Sequence, residues 1–108
     1  MGRKGDKLTA ESTALVEKLL VRLQGLGDVR AQKMFGGYGL FGHGKMFGLV
    51  TSGAELFLKA DDSNIAQFRK ARAPQHGKMP YYRVPKRVLN YTAALLEWAR
   101  RSLRVAHG

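Results

Sequence analysis

The sequence predicts an α+β domain of two layers, in which three helices flank a mainly antiparallel sheet of about 4–6 strands. Two observations predict this class. Apolar residues recur at helical spacing near both ends of the chain and once in between, and short apolar runs joined by Gly-rich turns lie among them. Helices and strands do not alternate regularly, so we do not expect a parallel, doubly wound sheet. The predicted order is α-β(3-4)-α-β(1-2)-α.

The first helix is predicted over residues 8–26. One stripe of this segment is apolar, while charged side chains fall on the other faces. Thr9 is the expected N-cap, and Gly25 or Gly27 the expected end. The predicted buried stripe consists of Ser12, Leu15, Val16, Leu19, Leu20 and Leu23.

An antiparallel meander is predicted to follow the first helix. Residues 29–35 alternate loosely, residues 38–41 form a short aromatic stretch, and residues 45–50 and 55–59 are apolar. Glycines separate these runs, and connections this short join antiparallel neighbours.

A second helix, a last strand and a final helix complete the prediction. Asp61 and Ser63 precede the second helix, residues 65–72, and can cap it. Residues 79–84 contain the last strand, which Pro85 ends. A turn over residues 86–89 leads to the final helix, residues 92–105.

Composition excludes several classes of protein for this chain. The 108 residues form one domain, residues 8–108, which follows a flexible basic tail, residues 1–7. The chain has no cysteine, which excludes disulfides, thiolate metal sites and a cysteine nucleophile. No signal peptide or apolar run long enough for a bilayer is recognised, so a cytoplasmic location without membrane contact is predicted.

Two motifs suggest ligand sites but lack the required context. Residues 37–42 fit the glycine pattern G-x-G-x-x-G, yet a strand-like run follows them, whereas a pyrophosphate site needs a helix N-terminus. We interpret the glycines as turn and bulge positions. His43, His76 and His107 are isolated in the sequence and are predicted to be surface loop residues. We therefore predict no metal, no cofactor and no catalytic residue.

The positive charge is the strongest functional signal from composition. The net charge is +11, and ten of the nineteen Lys and Arg residues follow residue 60. The alternatives are a phosphate-binding surface for nucleic acid, a docking face for an acidic protein, and a solvated surface. Tyr81 and Tyr82 could add base stacking. The candidate binding residues are Arg83, Lys86, Arg87, Arg100, Arg101 and Arg104.

Five runs of the sequence resemble the N-terminal domain of the TfoX family. They are MFGGYGLF at residues 34–41, MFGLV at 46–50, ELFLK at 55–59, MPYYRVP at 79–85 and LLEWA at 95–99. The resemblance covers about residues 10–105 and implies an α+β sandwich without known catalysis. It implies a mainly structural role for Met34, Phe35, Gly36, Gly37, Tyr38, Gly39, Tyr81, Tyr82, Pro85 and Trp98.

TfoX proteins regulate bacterial competence for DNA uptake together with the cyclic-AMP receptor protein, and they carry a second, C-terminal domain. The chain ends at Gly108, so we expect a free-standing N-terminal domain. We predict a non-enzymatic regulatory domain that contacts a protein partner in transcriptional regulation, with a homodimer as an open alternative. The first alternative is direct nucleic-acid binding. The second is a small-molecule or enzymatic role in a cleft near Tyr38 and Tyr82.

Overall fold

The structure is a computed structural model that describes residues 9–34 and 36–108. The predicted tail over residues 1–7 and the predicted helix start at Leu8 lie outside the described residues, as does Phe35.

Helix α1 (Ala10–Arg22) begins at the predicted cap. The Thr9 hydroxyl accepts a hydrogen bond from the Ser12 backbone N–H at 3.1 Å and donates one to the Ser52 carbonyl at 2.8 Å. The α-helix is shorter than predicted, because its last turn is a separate 3₁₀ turn, Gln24–Leu26. Gly27 ends that turn with a φ of +97°, a conformation that favours glycine.

The sheet is a five-stranded antiparallel meander in which strand order follows chain order. This confirms the predicted sheet, and its last strand lies within residues 79–84 as predicted. Its strands are β1 (Val29–Met34), β2 (Gly37–Gly42), β3 (Lys45–Val50), β4 (Leu56–Lys59) and β5 (Tyr81–Arg83).

Three more helices follow the first four strands: α2 (Ile65–Lys70), α3 (Lys86–Leu89) and α4 (Thr92–His107). Helix α3 forms where a turn was predicted, so the described residues contain four α-helices rather than three. Helix α2 ends before residue 72, and Arg72 adopts a left-handed φ of +55°.

The segment before α2 is held by side chains, but they do not cap the helix as predicted. The Asp61 carboxylate accepts hydrogen bonds from the Ser63 N–H at 2.8 Å and the Ser63 hydroxyl at 2.6 Å. The N-cap residue is Asn64, whose amide donates to the Lys59 carbonyl and accepts from the Asp61 N–H. These bonds fix the turn between β4 and α2.

All four α-helices pack on one face of the sheet, and their buried side chains join the strands in the main core. Phe47, Leu58, Phe68 and Leu95 are fully buried there. The opposite face carries a second apolar cluster of Leu49, Phe57 and Tyr81, with Met46 packed against it. Because that cluster is built from strand residues alone, we call its side of the sheet the open face.

The described aromatic residues divide between these two faces and do not share one core. Phe47 fills the main core, and Trp98 packs edge-on against Phe68 with ring centres 5.0 Å apart. Phe57 instead belongs to the open-face cluster. Phe41 is half-buried and pairs with Arg30 across β1 and β2.

A bulge in β3 explains part of this division. Leu40 pairs with Gly48 and Phe41 with Met46, which leaves Phe47 as an extra residue between the two pairs. Phe47 therefore joins the main core although its neighbour Met46 belongs to the open face. Simple alternation along β3 could not predict this arrangement.

Candidate functional site

The six candidate basic residues form two groups at different places in the fold. Arg83 and Lys86 line one cavity of about 480 Å³ together with Glu55. The Arg83 guanidinium forms an ion pair with Glu55 at 3.0 Å, so part of its charge is already balanced. Arg87 lies beside Lys86 on α3 and is exposed.

The second group lies on the last turns of α4. Arg100 and Arg101 both pair with Glu97, at 3.4 Å and 3.1 Å, and Arg101 also donates to the Gln67 side chain on α2. The hydrogen bond from Arg101 is the main reason that the pKa of Glu97 lies below its ordinary value, and the nearby arginine charges lower it further. Two of the three α4 arginines are therefore engaged locally.

Arg104 forms no ion pair with any residue in 9–34 or 36–108. With Arg100 it borders a shallow cavity of about 410 Å³ that also includes His43 and His107. The ring of His107 is hydrogen-bonded to the Gly42 carbonyl at 2.9 Å and lies 6.1 Å from the ring of His43. The prediction that His107 lies in a surface loop is wrong, because this residue is the last of α4.

The basic group around α3 and the basic group on α4 do not form one continuous patch. Helix α3 precedes the N-terminal end of α4, while Arg100 and Arg104 lie near its C-terminal end. At 1.5 Å per residue, Thr92 and Arg104 are about 18 Å apart along the helix axis. Lys86 and Arg87 thus form a surface separate from the α4 arginines.

The family-motif tyrosines lie in three different environments. The Tyr38 hydroxyl is hydrogen-bonded to the Thr13 hydroxyl at 2.9 Å, which connects β2 to α1. Tyr82 packs against Phe68 in the main core, with ring centres 5.6 Å apart. Tyr81 is buried on the open face, and burial raises the pKa of its phenol. Neither Tyr81 nor Tyr82 is an exposed platform for stacking bases.

The structure does not bring Tyr38 and Tyr82 together in one cleft. These residues lie on β2 and β5, which are separated by β3 and β4, so the two strands are about 14 Å apart at ordinary strand spacing.

Other motif residues have local structural roles. Gly36 has a φ of +80° in the turn before β2, and Pro85 precedes the first residue of α3. The glycine pattern at residues 37–42 is the whole of β2, which pairs with strands on both sides, so it does not open a helix as a pyrophosphate site would require.

The open face contains a cavity that sequence reasoning missed. It measures about 400 Å³ and is largely apolar. Met34, Met46 and Met79 contribute from β1, β3 and the segment before β5, with Leu49 and His76. We call it the methionine cavity. The repeated dipeptide Lys-Met at residues 33–34, 45–46 and 78–79 is the sequence signal that could have indicated it.

The groups with displaced pKa values do not converge on one place. Asp61 lies before α2, where the hydrogen bonds from Ser63 hold its pKa below the ordinary value. Glu97 lies on the outer side of α4, and Tyr81 lies on the open face. Within the described ranges, no group of three or more His, Asp or Glu residues is placed to hold a metal ion. Nor does any described helix have the length and apolar character to cross a bilayer.

The fold and surfaces define a small α+β domain with a helix-backed antiparallel sheet, a positive charge and one apolar open face. The model of the TfoX N-terminal domain family matches residues 21–106. The chain therefore belongs to this family, as the sequence motifs predicted, and is a competence-regulator-like domain. No curated protein matches the sequence.

Proposed function

We propose that this chain is a non-enzymatic regulatory domain that contacts a protein partner in transcriptional regulation. The match to the TfoX N-terminal domain is the observation that carries this proposal, since the regulators of that family act on competence. The largely apolar methionine cavity supports it, because Met79 at its edge is 43% exposed and exposed apolar surface is typical of protein contacts. The dispersed positions of Asp61, Tyr81 and Glu97 support a role without turnover.

The test is a deletion strain compared with strains complemented by the wild type or by the Arg100→Ala/Arg101→Ala/Arg104→Ala variant. We expect both proteins to restore the same set of transcripts, because a protein contact elsewhere does not require these arginines. Cross-linked partners are then purified and reconstituted with the domain at 150 mM salt. Unchanged transcripts together with no reconstituted partner would refute the proposal.

The second candidate function is direct nucleic-acid binding through the C-terminal part of α4. The observation that favours it is Arg104 on a chain of net charge +11, next to Arg100 on the same surface. Each phosphate contact contributes about 0.9 to the slope of log affinity against log salt on duplex DNA.

Fluorescence anisotropy of a labelled random duplex at several salt concentrations tests this candidate. The triple arginine variant should reduce both the affinity and the salt slope, while Glu97→Gln should increase the affinity because it releases Arg100 and Arg101. The matched control is Lys18→Ala/Lys33→Ala/Lys78→Ala, which removes equal charge elsewhere. If both triple variants lose affinity equally, the α4 surface is not the site.

A further inference from the structure

Each internal methionine of the chain directly follows a lysine. The pairs are Lys33-Met34, Lys45-Met46 and Lys78-Met79, and the fourth methionine is Met1. Residues so far apart in sequence meet only in the folded chain, where all three internal methionines line the methionine cavity.

Gly39 shows how closely two of these side chains approach one another. A Cβ atom built at Gly39 would lie 2.6 Å from the Met34 sulfur and 3.2 Å from the Met46 sulfur. The two sulfurs therefore lie over the same point of the sheet, in space that the absent side chain leaves free. Met79 is 43% exposed, so the apolar lining continues to the surface.

The segment before β5 holds the third methionine in place. The His76 ring packs edge-on against Phe57, with ring centres 4.9 Å apart. The His76 N–H donates to the Tyr81 carbonyl at 2.8 Å, and the Met79 N–H donates to the His76 carbonyl at 3.0 Å. This wall is fixed by backbone hydrogen bonds, while the methionine side chains themselves can adapt to different shapes.

The charges around the methionine cavity have one sign. Its described lining contains no carboxylate. The Glu55 carboxylate is already paired with Arg83. Lys78 is exposed and directly precedes Met79 at the edge of the cavity. Lys33 and Lys45 pair with Tyr38 and Gly42, so they project from the helix-covered face of the sheet instead. The Lys78 ammonium can lie within about 10 Å of Met79, which is about one Debye length at 0.1 M salt.

Size and charge together indicate the occupant. A cavity of about 400 Å³ has room for one or two large apolar side chains. A second copy of the chain would bring another net charge of +11 to the same surface. A partner with acidic side chains beside an apolar anchor satisfies both the lining and the surrounding charge.

We propose that the methionine cavity is the docking site for an acidic segment of a partner protein. The segment inserts a bulky apolar side chain among Met34, Met46 and Met79, and its carboxylates lie near Lys78. This inference rests on the proposed protein-contact function and assigns that contact to one surface.

The test uses protein labelled with ¹³C at the methionine methyl groups, which places three probes in the cavity and one at Met1. The probe ligand is a synthetic 15-residue peptide with a central Leu-Phe pair flanked by Asp and Glu. Two control peptides replace either the Leu-Phe pair by Ala-Ala or the acidic residues by Asn and Gln. We expect the first peptide to shift the three internal methyl signals without shifting Met1, and to bind at least tenfold more tightly than either control.

Two substitutions locate the binding. Met79→Glu places a carboxylate at an exposed position of the cavity and should weaken binding at least tenfold without affecting folding. Lys78→Ala should weaken it severalfold, whereas Lys18→Ala on α1 removes equal charge and should change little. These lysine variants separate a local effect from a general loss of charge.

Several outcomes would overturn the docking proposal. They are unshifted internal methyl signals at 1 mM peptide, equal binding of the Ala-Ala peptide, concentration-dependent shifts without peptide, and shifts caused by decanoate but not by the peptides. The third would indicate a second copy, and the fourth a small amphiphilic anion. If a reconstituted partner still binds the Met79→Glu protein, this site is wrong although the proposed function stands. If no partner is reconstituted and the transcripts are unchanged, the proposed function itself fails.

Discussion

Two buried serines differ in whether their hydroxyl group has a hydrogen-bond partner. Ser12 and Ser102 both have no exposed surface. The Ser12 hydroxyl donates to the Thr9 carbonyl at 3.0 Å. The Ser102 hydroxyl has no hydrogen-bond partner in the described part of the chain. An unsatisfied buried hydroxyl costs free energy that a satisfied one does not.

Ser102→Ala should therefore increase the free energy of unfolding by about 1 kcal/mol. Ser12→Ala is the matched control, since it makes the same chemical change in a helix but removes a hydrogen bond. It should decrease the free energy of unfolding by about 1 kcal/mol. Urea denaturation followed by circular dichroism measures both, and equal effects of the two substitutions would contradict the prediction.

Tyr81 gives the protein a dependence on alkaline pH. Burial raises the pKa of its phenol above the ordinary value of 10.0. As the pH rises, the unfolded chain loses this proton before the folded chain does. The stability linked to Tyr81 is thus fully present below about pH 10 and is lost as the pH rises through the folded-state pKa.

Wild type should lose more stability than Tyr81→Phe when the pH is raised from about 9 to about 11. The comparison isolates Tyr81, because all other titrating groups are shared by the two proteins. Urea midpoints at each pH provide the measurement. Parallel pH curves for the two proteins would show that the phenol does not carry this dependence.

The strands and helices of this fold lie in close contact, both strand against strand and sheet against helix. A Cβ atom at Gly37 would overlap the carbonyl oxygen of Val50 on the adjacent strand. A Cβ atom at Gly42 would lie 2.5 Å from Leu103 on α4. Glycines in β2 thus permit backbone and helix packing that a larger residue would prevent.

Gly37→Ala should destabilise the protein by about 2–3 kcal/mol, since the overlapping atom belongs to the backbone and can move only with β3. Gly53→Ala is the control, because the nearest atom to its new Cβ would be 3.7 Å away. We expect it to change stability by less than about 0.5 kcal/mol. A thermal unfolding series distinguishes the two substitutions, and similar midpoints would contradict the close approach of β2 and β3.

The regular helices could be predicted from the sequence, but the short helix α3 and the bulge in β3 could not. The Thr9 cap and the ion pair between Glu97 and Arg101 were predictable, because both depend on spacing within one helix. The short helix α3 was predicted as a turn, since four residues carry almost no periodicity. The bulge at Phe47 depends on the partner strand, so the sequence of β3 alone could not indicate it.

The whole molecule combines a net charge of +11 with a chain of only 108 residues. Like charges at this density repel one another and destabilise the compact state, and added salt screens the repulsion. The net charge already counts every acidic residue, so the ion pairs of Glu97 and Glu55 leave this excess unchanged.

Raising sodium chloride from about 20 to about 300 mM should therefore raise the midpoint of thermal unfolding by a few degrees. A Lys18→Glu/Lys70→Glu variant has less net charge and should show a smaller rise. Differential scanning calorimetry at each salt concentration provides the comparison. A rise of equal size in the variant would show that salt does not stabilise the protein by screening charge repulsion.

The sequence by itself determined the α+β class, the antiparallel meander and the TfoX family, because hydrophobic periodicity, turn glycines and ordered motifs are local properties of the chain. Only the tertiary structure decided which face each strand residue occupies and which distant residues meet. It separated Lys86 and Arg87 from Arg100 and Arg104, and it brought Met34, Met46 and Met79 to one cavity. The physical reason is that strand register, the bulge and the packing of helices on one face bring distant segments together. The local sequence of each segment does not show which other segment it will meet.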